Sequence, residues 1–216
     1  MEYSHVVFGL LAMAVALGVL LAGGKPSLKP SRYQALLEGY LLFVRRMLED
    51  NVGPKGIKYV PLIAAIGLFV FFGNLLGMVP GFEAPTANIN TNLAIALLVF
   101  FYYHFEGIRE NGLAYFKHFM GPVPLMAPFF FVVELISHLA RPITLALRLF
   151  ANMKAGGLLL ITLVSLSIKN PFTLALSPVV LIFVIAIKFL AIFIQTYIFM
   201  ILSVIYIAGA VAHEEH

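Results

Sequence analysis

Five polar or charged residues recur on one side of a strongly apolar stretch, ELISHLARPITLALRLFANMK at 134–154. Successive members are four, three, seven and four residues apart, and they are Glu134, His138, Arg141, Arg148 and Asn152. At roughly 100° per residue these positions fall within about 80° of one another around a helix axis, and they form a polar face about 27 Å long. A charge buried in a bilayer costs about 2.5–3.5 kcal/mol on insertion scales, so several on one apolar helix indicate a function. Carboxylate, imidazole and amide groups in such a row suit an ion or proton path.

Arg148 is the member of this face that packing alone explains least. It lies near the middle of the apolar run, and the nearest acidic residue on the same face, Glu134, is about four helical turns away. Arginine keeps its charge at every accessible pH, so a counter-charge is expected from another segment or another subunit. A fixed positive charge would also divide a proton path into two halves, with Glu134 exchanging protons and Asn152 orienting water. The final apolar stretch carries Lys188 and Gln195, which are seven residues apart and therefore share a helix face.

Three polar residues of this stretch keep a structural alternative. Arg141 precedes Pro142 near the end of the run, where snorkelling to the lipid headgroups and a functional role both remain open. A lone histidine such as His138 is more often a packed, hydrogen-bonded core residue than a functional one. Lys154 lies off the polar face and can simply reach a membrane interface.

The composition requires a membrane around these residues. Of 216 residues, 62% are hydrophobic and 11% are charged, whereas soluble domains carry about 45–50% apolar and about 25% charged residues. This excludes a water-soluble globular enzyme and a disordered chain. Seven of the 14 basic residues lie between Lys25 and Lys58, which favours a topology signal over nucleic-acid binding. The chain has no cysteine, no Gly-rich phosphate loop and no HExxH motif, so no metal or cofactor is expected.

The hydropathy pattern predicts an all-α, polytopic integral membrane protein with about five membrane passages and one amphipathic helix, in a single membrane domain covering 1–216. The passages are spans at 6–22, 59–79 and 91–105 and two long apolar helices at 126–167 and 172–212. Each long helix has about twice the roughly 20 residues that a perpendicular span requires, so it must tilt strongly, kink or run partly in the membrane plane. The segment at 106–122, with Glu106, Arg109 and Glu110, is predicted as a loop.

Residues 27–50 have the pattern of an amphipathic surface helix. Apolar and aromatic side chains recur at spacings of three and four, among them Tyr33, Leu37, Tyr40 and Val44, with charged residues between them. A docking surface for a specific partner and an ordinary connecting helix both remain open.

Basic residues also predict the orientation of the chain. The segments 24–58 and 106–122 hold seven and two Lys or Arg residues, whereas 80–90 holds none and 168–171 holds one. By the positive-inside rule the two basic segments face the inside, the N-terminus lies outside and the C-terminus lies inside. The first apolar run has no basic leader, which favours a retained span over a signal peptide.

The runs RPITLALRLFANMKAGGLLL at 141–160 and IQTYIFMILSVIYIA at 194–208, with GNLLGMVPG, PTANINTNLAIAL and the terminal HEEH, resemble the a subunit of bacterial F-type ATP synthase. The resemblance extends over most of the chain and implies a multi-pass stator subunit of the bacterial inner membrane. Such a subunit lies against a rotating ring of c subunits and works with the b-subunit peripheral stalk and the rest of the complex. It forms two offset half-channels that couple proton translocation to ATP synthesis, and the nucleotide chemistry belongs to partner subunits.

The same resemblance implies a role for several residues of the polar faces. Arg148 corresponds to the family's essential arginine, which faces a carboxylate on each c subunit, and Gln195 to the glutamine that faces this arginine. Asn152 corresponds to the asparagine one turn beyond the arginine, and Glu134 to the acidic residue of the half-channel that opens to the inside. Tyr206 corresponds to a tyrosine near the end of the last helix.

Three positions of the outer half-channel depart from the family pattern. Gly157 and Asn88 stand where many members carry acidic residues, and Lys188 stands where they carry a histidine. A titrating Lys188 or a chain of water molecules is the hypothesis for this inlet, and a lysine that only snorkels into the aqueous funnel remains the alternative. In the other half-channel, His138 lies one turn from Glu134 and is a further candidate for the proton pathway.

Two other classes of function are compatible with charges inside a membrane. A secondary cation transporter or channel subunit is expected to show internal repeats, and none is recognisable in the sequence. A structural subunit of a respiratory complex would use its charges only for assembly. Replacing Arg148 separates the classes. If the chain is a stator, coupled transport is lost and the complex stays assembled. If the charge serves only assembly, the complex no longer forms.

Overall fold

The computed structural model describes residues 4–22, 31–79, 82, 84–112, 115, 127–167 and 171–211. The regular structure within these ranges is entirely helical, so the prediction of an all-α protein is confirmed. The α-helices of these ranges are α1 at Ser4–Ala22, α2 at Arg32–Val52, α3 at Val60–Leu76, α4 at Ile89–Asn111, α5 at Ala127–Ser167 and α6 at Pro171–Val211. Short 3-10 turns at Pro54–Tyr59 and Pro85–Ala87 precede α3 and α4.

Within the described ranges, four helical segments are long and apolar enough to cross a membrane, namely Pro54–Leu76, Ile89–Asn111, Pro128–Leu166 and Pro178–Val211. Helix α1 contributes a shorter apolar segment, His5–Leu21. Its 19 residues extend about 28 Å, close to the roughly 30 Å of a hydrocarbon core. The chain is therefore a polytopic membrane protein, as its sequence predicts.

Helices α5 and α6 are the longest, with 41 residues each. At 1.5 Å per residue each is about 60 Å long, roughly twice the thickness of a hydrocarbon core. Both remain helical through an internal proline, Pro142 in α5 and Pro178 in α6. In the most apolar window of α5 only 11% of the residues are buried, against 44% in the α3 segment, so much of α5 is left to lipid or to a partner. Residues 126 and 212, which bound two of the expected ranges, lie outside the described residues.

Helix α4 is longer than expected, because the polar residues after 105 continue it to Asn111. The prediction of a loop beginning at residue 106 is wrong. Glu106 is buried and pairs with Lys58 at 2.9 Å and with Arg109 at 3.3 Å, and the Tyr59 hydroxyl donates to it at 3.1 Å. Since these groups satisfy the carboxylate inside the protein, the charge does not force the chain out into water. The helix ends at Gly112, whose φ of +58° suits glycine.

Helix α2 packs against the rest of the chain through its apolar side. It begins at Arg32 after Ser31, whose hydroxyl oxygen accepts a hydrogen bond from the Gln34 backbone N–H at 3.2 Å. Residues 27–30 of the predicted helix lie outside the described residues. The Tyr40 hydroxyl donates to the Ala64 carbonyl at 2.8 Å. A Cβ added at Gly67 of α3 would lie 2.5 Å from this Tyr40 hydroxyl oxygen, so a glycine permits the close contact.

Candidate functional site

The polar face of α5 begins with three side chains that contact one another. Nε2 of His138 lies 3.0 Å from Oε1 of Glu134, and a guanidinium nitrogen of Arg141 lies 4.0 Å from the same oxygen. The other terminal nitrogen of Arg141 lies 3.5 Å from Nδ1 of His138. Spacings of three and four residues place these groups on adjacent turns of one helix face. The structure thus brings together three residues that the sequence singled out.

Helices α4 and α6 complete this group, which we term the Glu134 cluster and which consists of Glu134, His138, Arg141, Tyr103 and Tyr206. The Tyr103 hydroxyl oxygen lies 3.1 Å from Nδ1 of His138. The guanidinium carbon of Arg141 lies 5.1 Å from the centre of the Tyr206 ring, a cation–π geometry. The Arg141 side chain is thus engaged with protein groups, and both alternatives for its role stay open. His138 is buried and hydrogen-bonded, as the structural alternative expects.

Three residues of this region were not anticipated from the sequence, namely Tyr103, His104 and Tyr115. The rings of His104 and His138 lie 5.1 Å apart, and Nδ1 of His104 lies 2.7 Å from the Tyr115 hydroxyl oxygen. Burial raises the pKa of Tyr115 to about 12. The sequence feature that could have indicated them is the pair Tyr103 and His104 within an apolar helix, because the polar atoms of buried rings need hydrogen-bond partners. In the part of the chain that the structure describes, no three His, Cys, Asp or Glu side chains are grouped as metal ligands.

The environment of Arg148 differs from that of the Glu134 cluster. Its side chain is exposed, and it makes no hydrogen bond or ion pair with any residue that the structure describes. The neighbouring Leu145 and Leu149 are 2% and 0% exposed, so α5 directs these two side chains into the core and Arg148 away from it.

Arg148 and Gln195 lie at a similar level of the antiparallel pair α5–α6. Two contacts fix the register of this pair, Gly156 beside Lys188 and Arg141 over the Tyr206 ring. In sequence Arg148 lies between Arg141 and Gly156, and Gln195 lies between Lys188 and Tyr206. The Gln195 side chain is 6% exposed and makes no hydrogen bond with any residue that the structure describes.

Small side chains surround Arg148 on the exposed side of α5. This small-residue face consists of Ser137, Ala140, Thr144, Ala151 and Ala155, all of them exposed. At roughly 100° per residue, they lie within about 80° of Arg148 around the helix. The Thr144 hydroxyl donates to the backbone carbonyl of Arg141 at 3.0 Å and so presents mainly its methyl group. Small residues let a second helix approach closely, as they do at membrane helix interfaces.

Beyond Arg148, α5 and α6 enclose a cavity of about 120 Å³ that Asn152, Gly156 and Lys188 help to line. The Lys188 ammonium donates to the Gly77 carbonyl at 3.3 Å, at the C-terminal end of α3, where a positive charge is favoured. A Cβ added at Gly156 would lie 3.3 Å from Cε of Lys188, so glycine leaves room for the lysine stem. Around Gly157 the structure has open space. The structure therefore brings Asn152 and Lys188 to one cavity.

Asn88 has a local structural role, because its side-chain oxygen accepts from the Asn90 backbone N–H at 2.9 Å and caps α4. A fully buried group nearby was not anticipated from the sequence. The Thr86 hydroxyl donates to Asn74 Oδ1 at 2.6 Å, and Asn92 Nδ2 donates to the Thr86 carbonyl at 2.7 Å. Asn92 also reaches the Ala146 carbonyl of α5 at 3.5 Å. This group ties the turn before α4 to three helices.

Comparison with known proteins gives concordant matches over the chain. A family model described as ATP synthase A chain matches residues 6–208. A protein named ATP synthase subunit a from Aquifex aeolicus is 85% identical over 216 residues, covering 100% of both chains. A protein of the same name from a Hydrogenobaculum species is 60% identical over 215 residues, covering 100% of this chain and 99% of the relative. Another from a Sulfurihydrogenibium species is 54% identical over 213 residues, covering 98% and 99%.

Proposed function

The chain belongs to the family of ATP synthase A chains, and from this we propose that its exposed Arg148 faces a carboxylate on a rotating ring of c subunits. As a member at high identity to proteins named ATP synthase subunit a, it is a membrane-sector stator subunit that acts in proton translocation for ATP synthesis. It functions in a complex with other ATP synthase subunits. A secondary cation transporter is not favoured.

The observation that carries the proposal is the environment of Arg148. A guanidinium that is exposed on an apolar helix, with no acidic partner in the described chain, is costly in lipid. A carboxylate on the ring supplies the missing counter-charge each time a c subunit passes. Because arginine does not lose its proton, Arg148 keeps that carboxylate ionised while it faces the stator. The same fixed charge prevents protons from passing directly between the two half-channels.

The small-residue face supports contact with the ring. A ring of helices that rotates past α5 needs a surface without protruding side chains, so that Arg148 is the group that reaches across. Thr144, Ala151 and Ala155 provide such a surface on both sides of Arg148 along the helix.

We propose that the two half-channels lie on either side of the Arg148–Gln195 level. The Glu134 cluster belongs to the inner half-channel, with Glu134 as its proton-exchanging carboxylate and Tyr206 supporting it. The outer half-channel contains the cavity beside Asn152 and Lys188, and Asn88 lies at its entrance. In this chain the outer side has amides and an amine where carboxylates would relay protons, so water molecules carry part of the path.

The assignment of partners and orientation follows from the same proposal. The subunit binds no nucleotide and catalyses no reaction by itself, and it contacts the c ring, the b-subunit peripheral stalk and the lipid bilayer. It lies in the bacterial plasma membrane with the N-terminus outside and the C-terminus in the cytoplasm. In support of this orientation, the ring of Phe8 lies 5.1 Å from that of Phe82, so the start of α1 and the non-basic segment before α4 share one side.

Disulfide cross-linking tests the position of the ring. The chain has no cysteine, so Ala151→Cys gives the assembled complex a single thiol in this subunit, next to Arg148. Paired with a cysteine on the outer helix of the c subunit, it is expected to form an a–c cross-link on oxidation. Phe101→Cys on α4, at a position that is 64% exposed, is the matched control and is expected to give none. Equal cross-linking from both positions, or none from Ala151→Cys, would contradict the proposal.

Lys188 is expected to take part in proton exchange at the inlet. Lys188→Gly removes the amine, and Lys188→Arg keeps a donor for the Gly77 carbonyl but cannot release a proton. Because a proton-transferring group contributes about 10²–10⁴-fold and water can replace part of it, both variants should lower ATP-driven proton pumping by roughly tenfold and change its pH dependence. Pumping is measured in inverted membrane vesicles over a series of pH values. An unchanged pH profile in both variants rejects the titrating role and leaves the lysine as a structural contact.

A further inference from the structure

We propose that His138 is a positioning residue, held as the neutral tautomer that carries its proton on Nε2 so that this N–H fixes the Glu134 carboxylate. The inference rests on the proposed role of Glu134 in the inner half-channel. It differs from the expectation that His138 itself carries protons, and it assigns Arg141 the task of selecting the tautomer.

The tautomer follows from what each partner can offer. A neutral imidazole has one N–H donor and one acceptor nitrogen, and arginine has donors only. Nδ1 of His138 lies 3.5 Å from a guanidinium nitrogen of Arg141 and 3.1 Å from the Tyr103 hydroxyl oxygen. A proton on Nδ1 would point at the cation, so Nδ1 is the acceptor. The proton therefore lies on Nε2, 3.0 Å from Oε1 of Glu134, which accepts it.

The surroundings also oppose a doubly protonated ring. From α5, Arg141 brings a permanent positive charge and Glu134 a carboxylate. From α4, His104 stacks against His138 with ring centres 5.1 Å apart, and Tyr103 approaches Nδ1. From α6, the face of Tyr206 is occupied by the Arg141 guanidinium. A second proton on His138 would thus lie beside the Arg141 cation, 3.5 Å from Nδ1, and like charges at that distance oppose it.

This arrangement separates two tasks within the cluster. His138 holds one carboxylate oxygen of Glu134, whose side chain is 39% exposed against 11% for His138. The carboxylate is consequently the group that meets water and exchanges protons, in a fixed orientation, and the histidine stays neutral through the cycle. Arg141 acts through His138 and is a positioning residue for the same carboxylate.

Two amide replacements distinguish positioning from proton transfer. The amide nitrogen of glutamine reaches the place of Nε2, and that of asparagine reaches only the place of Nδ1. His138→Gln therefore keeps a donor for Glu134 and is expected to retain ATP-driven pumping and its pH profile. His138→Asn removes the donor and leaves the carboxylate without a fixed orientation, so pumping is expected to fall by about tenfold, as for the loss of one hydrogen bond to a charged group. If His138 carries protons, neither amide can replace it, and loss of pumping in both variants would overturn the proposal.

The tautomer itself has a direct readout that does not depend on activity. In the assembled complex labelled with ¹⁵N-histidine, solid-state NMR distinguishes a protonated from an unprotonated ring nitrogen. His138, assigned by the signal that disappears in His138→Gln, is expected to show an unprotonated Nδ1 and a protonated Nε2. Arg141→Gln removes the cation and is expected to introduce the other tautomer. A protonated Nδ1 in the unsubstituted complex would contradict the proposal.

Glu134→Gln separates this inference from the function on which it rests. If pumping continues unchanged without the carboxylate, the proposed role of Glu134 fails, whatever the state of His138. If Glu134→Gln abolishes pumping while the NMR signals show a protonated Nδ1, the function stands and the positioning role of His138 fails.

Discussion

Arg148→Ala is expected to abolish ATP-driven proton pumping, by at least about 100-fold, while the complex remains assembled. Removing a fixed group that stabilises a charge at the reacting site typically costs about 10²–10³-fold. Arg148 is expected to act in this way on the ring carboxylate, and the structure gives it no other partner among the described residues. Without the guanidinium the carboxylate stays protonated opposite the stator, and the two half-channels are no longer separated. Quenching of a pH-sensitive dye in inverted vesicles measures pumping, and immunoblots measure the subunit content of the complex.

Lys154→Ala is the matched control for this experiment. Lys154 is also an exposed cation of α5, but it lies off the polar face and 5.9 Å above the Phe150 ring. Its replacement is expected to leave pumping within about twofold, because a surface cation contributes little. Normal pumping in Arg148→Ala would contradict the proposed function. Loss of the whole complex in Arg148→Ala would instead favour the reading in which the charge serves assembly.

The polar face of α5 could be predicted because helical periodicity depends on one segment alone. The spacing of Glu134, His138, Arg141 and Arg148 places them on one side whatever the surroundings are. The same spacing cannot tell that the first three pack together while Arg148 points away from the core. That difference depends on α4 and α6, which cover one end of the face and leave the other open.

Uncharged polar residues were harder to anticipate than charged ones. Asn74, Thr86 and Asn92 are each 0% exposed and tie together segments that lie far apart in sequence. Amides and hydroxyls carry no charge that demands a counter-charge, and each contact requires a partner from another element. Such groups become visible only when the helices are assembled.

The end of α4 illustrates how a distant partner changes a local pattern. Charges at Glu106 and Glu110 look like the start of a loop when only neighbouring residues are considered. In the structure both carboxylates pair with Lys58, some 50 positions earlier in the chain. The pairing lets the helix continue to Asn111, whose side chain donates to the Ala210 carbonyl at the end of α6 at 3.0 Å.

Glu106→Ala is therefore expected to destabilise the subunit by about 1–3 kcal/mol, the usual cost of leaving a buried donor without its acceptor. Glu106 is 3% exposed and accepts from Lys58, Arg109 and Tyr59. Its removal leaves the buried Tyr59 hydroxyl without this acceptor, while Lys58 keeps Glu110, and it weakens the link between the turn before α3 and the end of α4. The midpoint of thermal aggregation of the purified complex, followed for this subunit by immunoblot, should fall by several degrees.

An exposed pair of the same chain provides the comparison that decides the physical cause. Arg45 and Glu49 of α2 lie 2.7 Å apart, with side chains 50% and 35% exposed. A surface pair contributes about 0–1 kcal/mol, so Glu49→Ala should shift the midpoint little. Glu106→Gln should lie between the two variants, because it keeps an acceptor for the Tyr59 hydroxyl and loses the charge. If Glu106→Ala and Glu49→Ala lower the midpoint equally, burial is not what makes the Glu106 pair important, and the continuation of α4 needs another explanation.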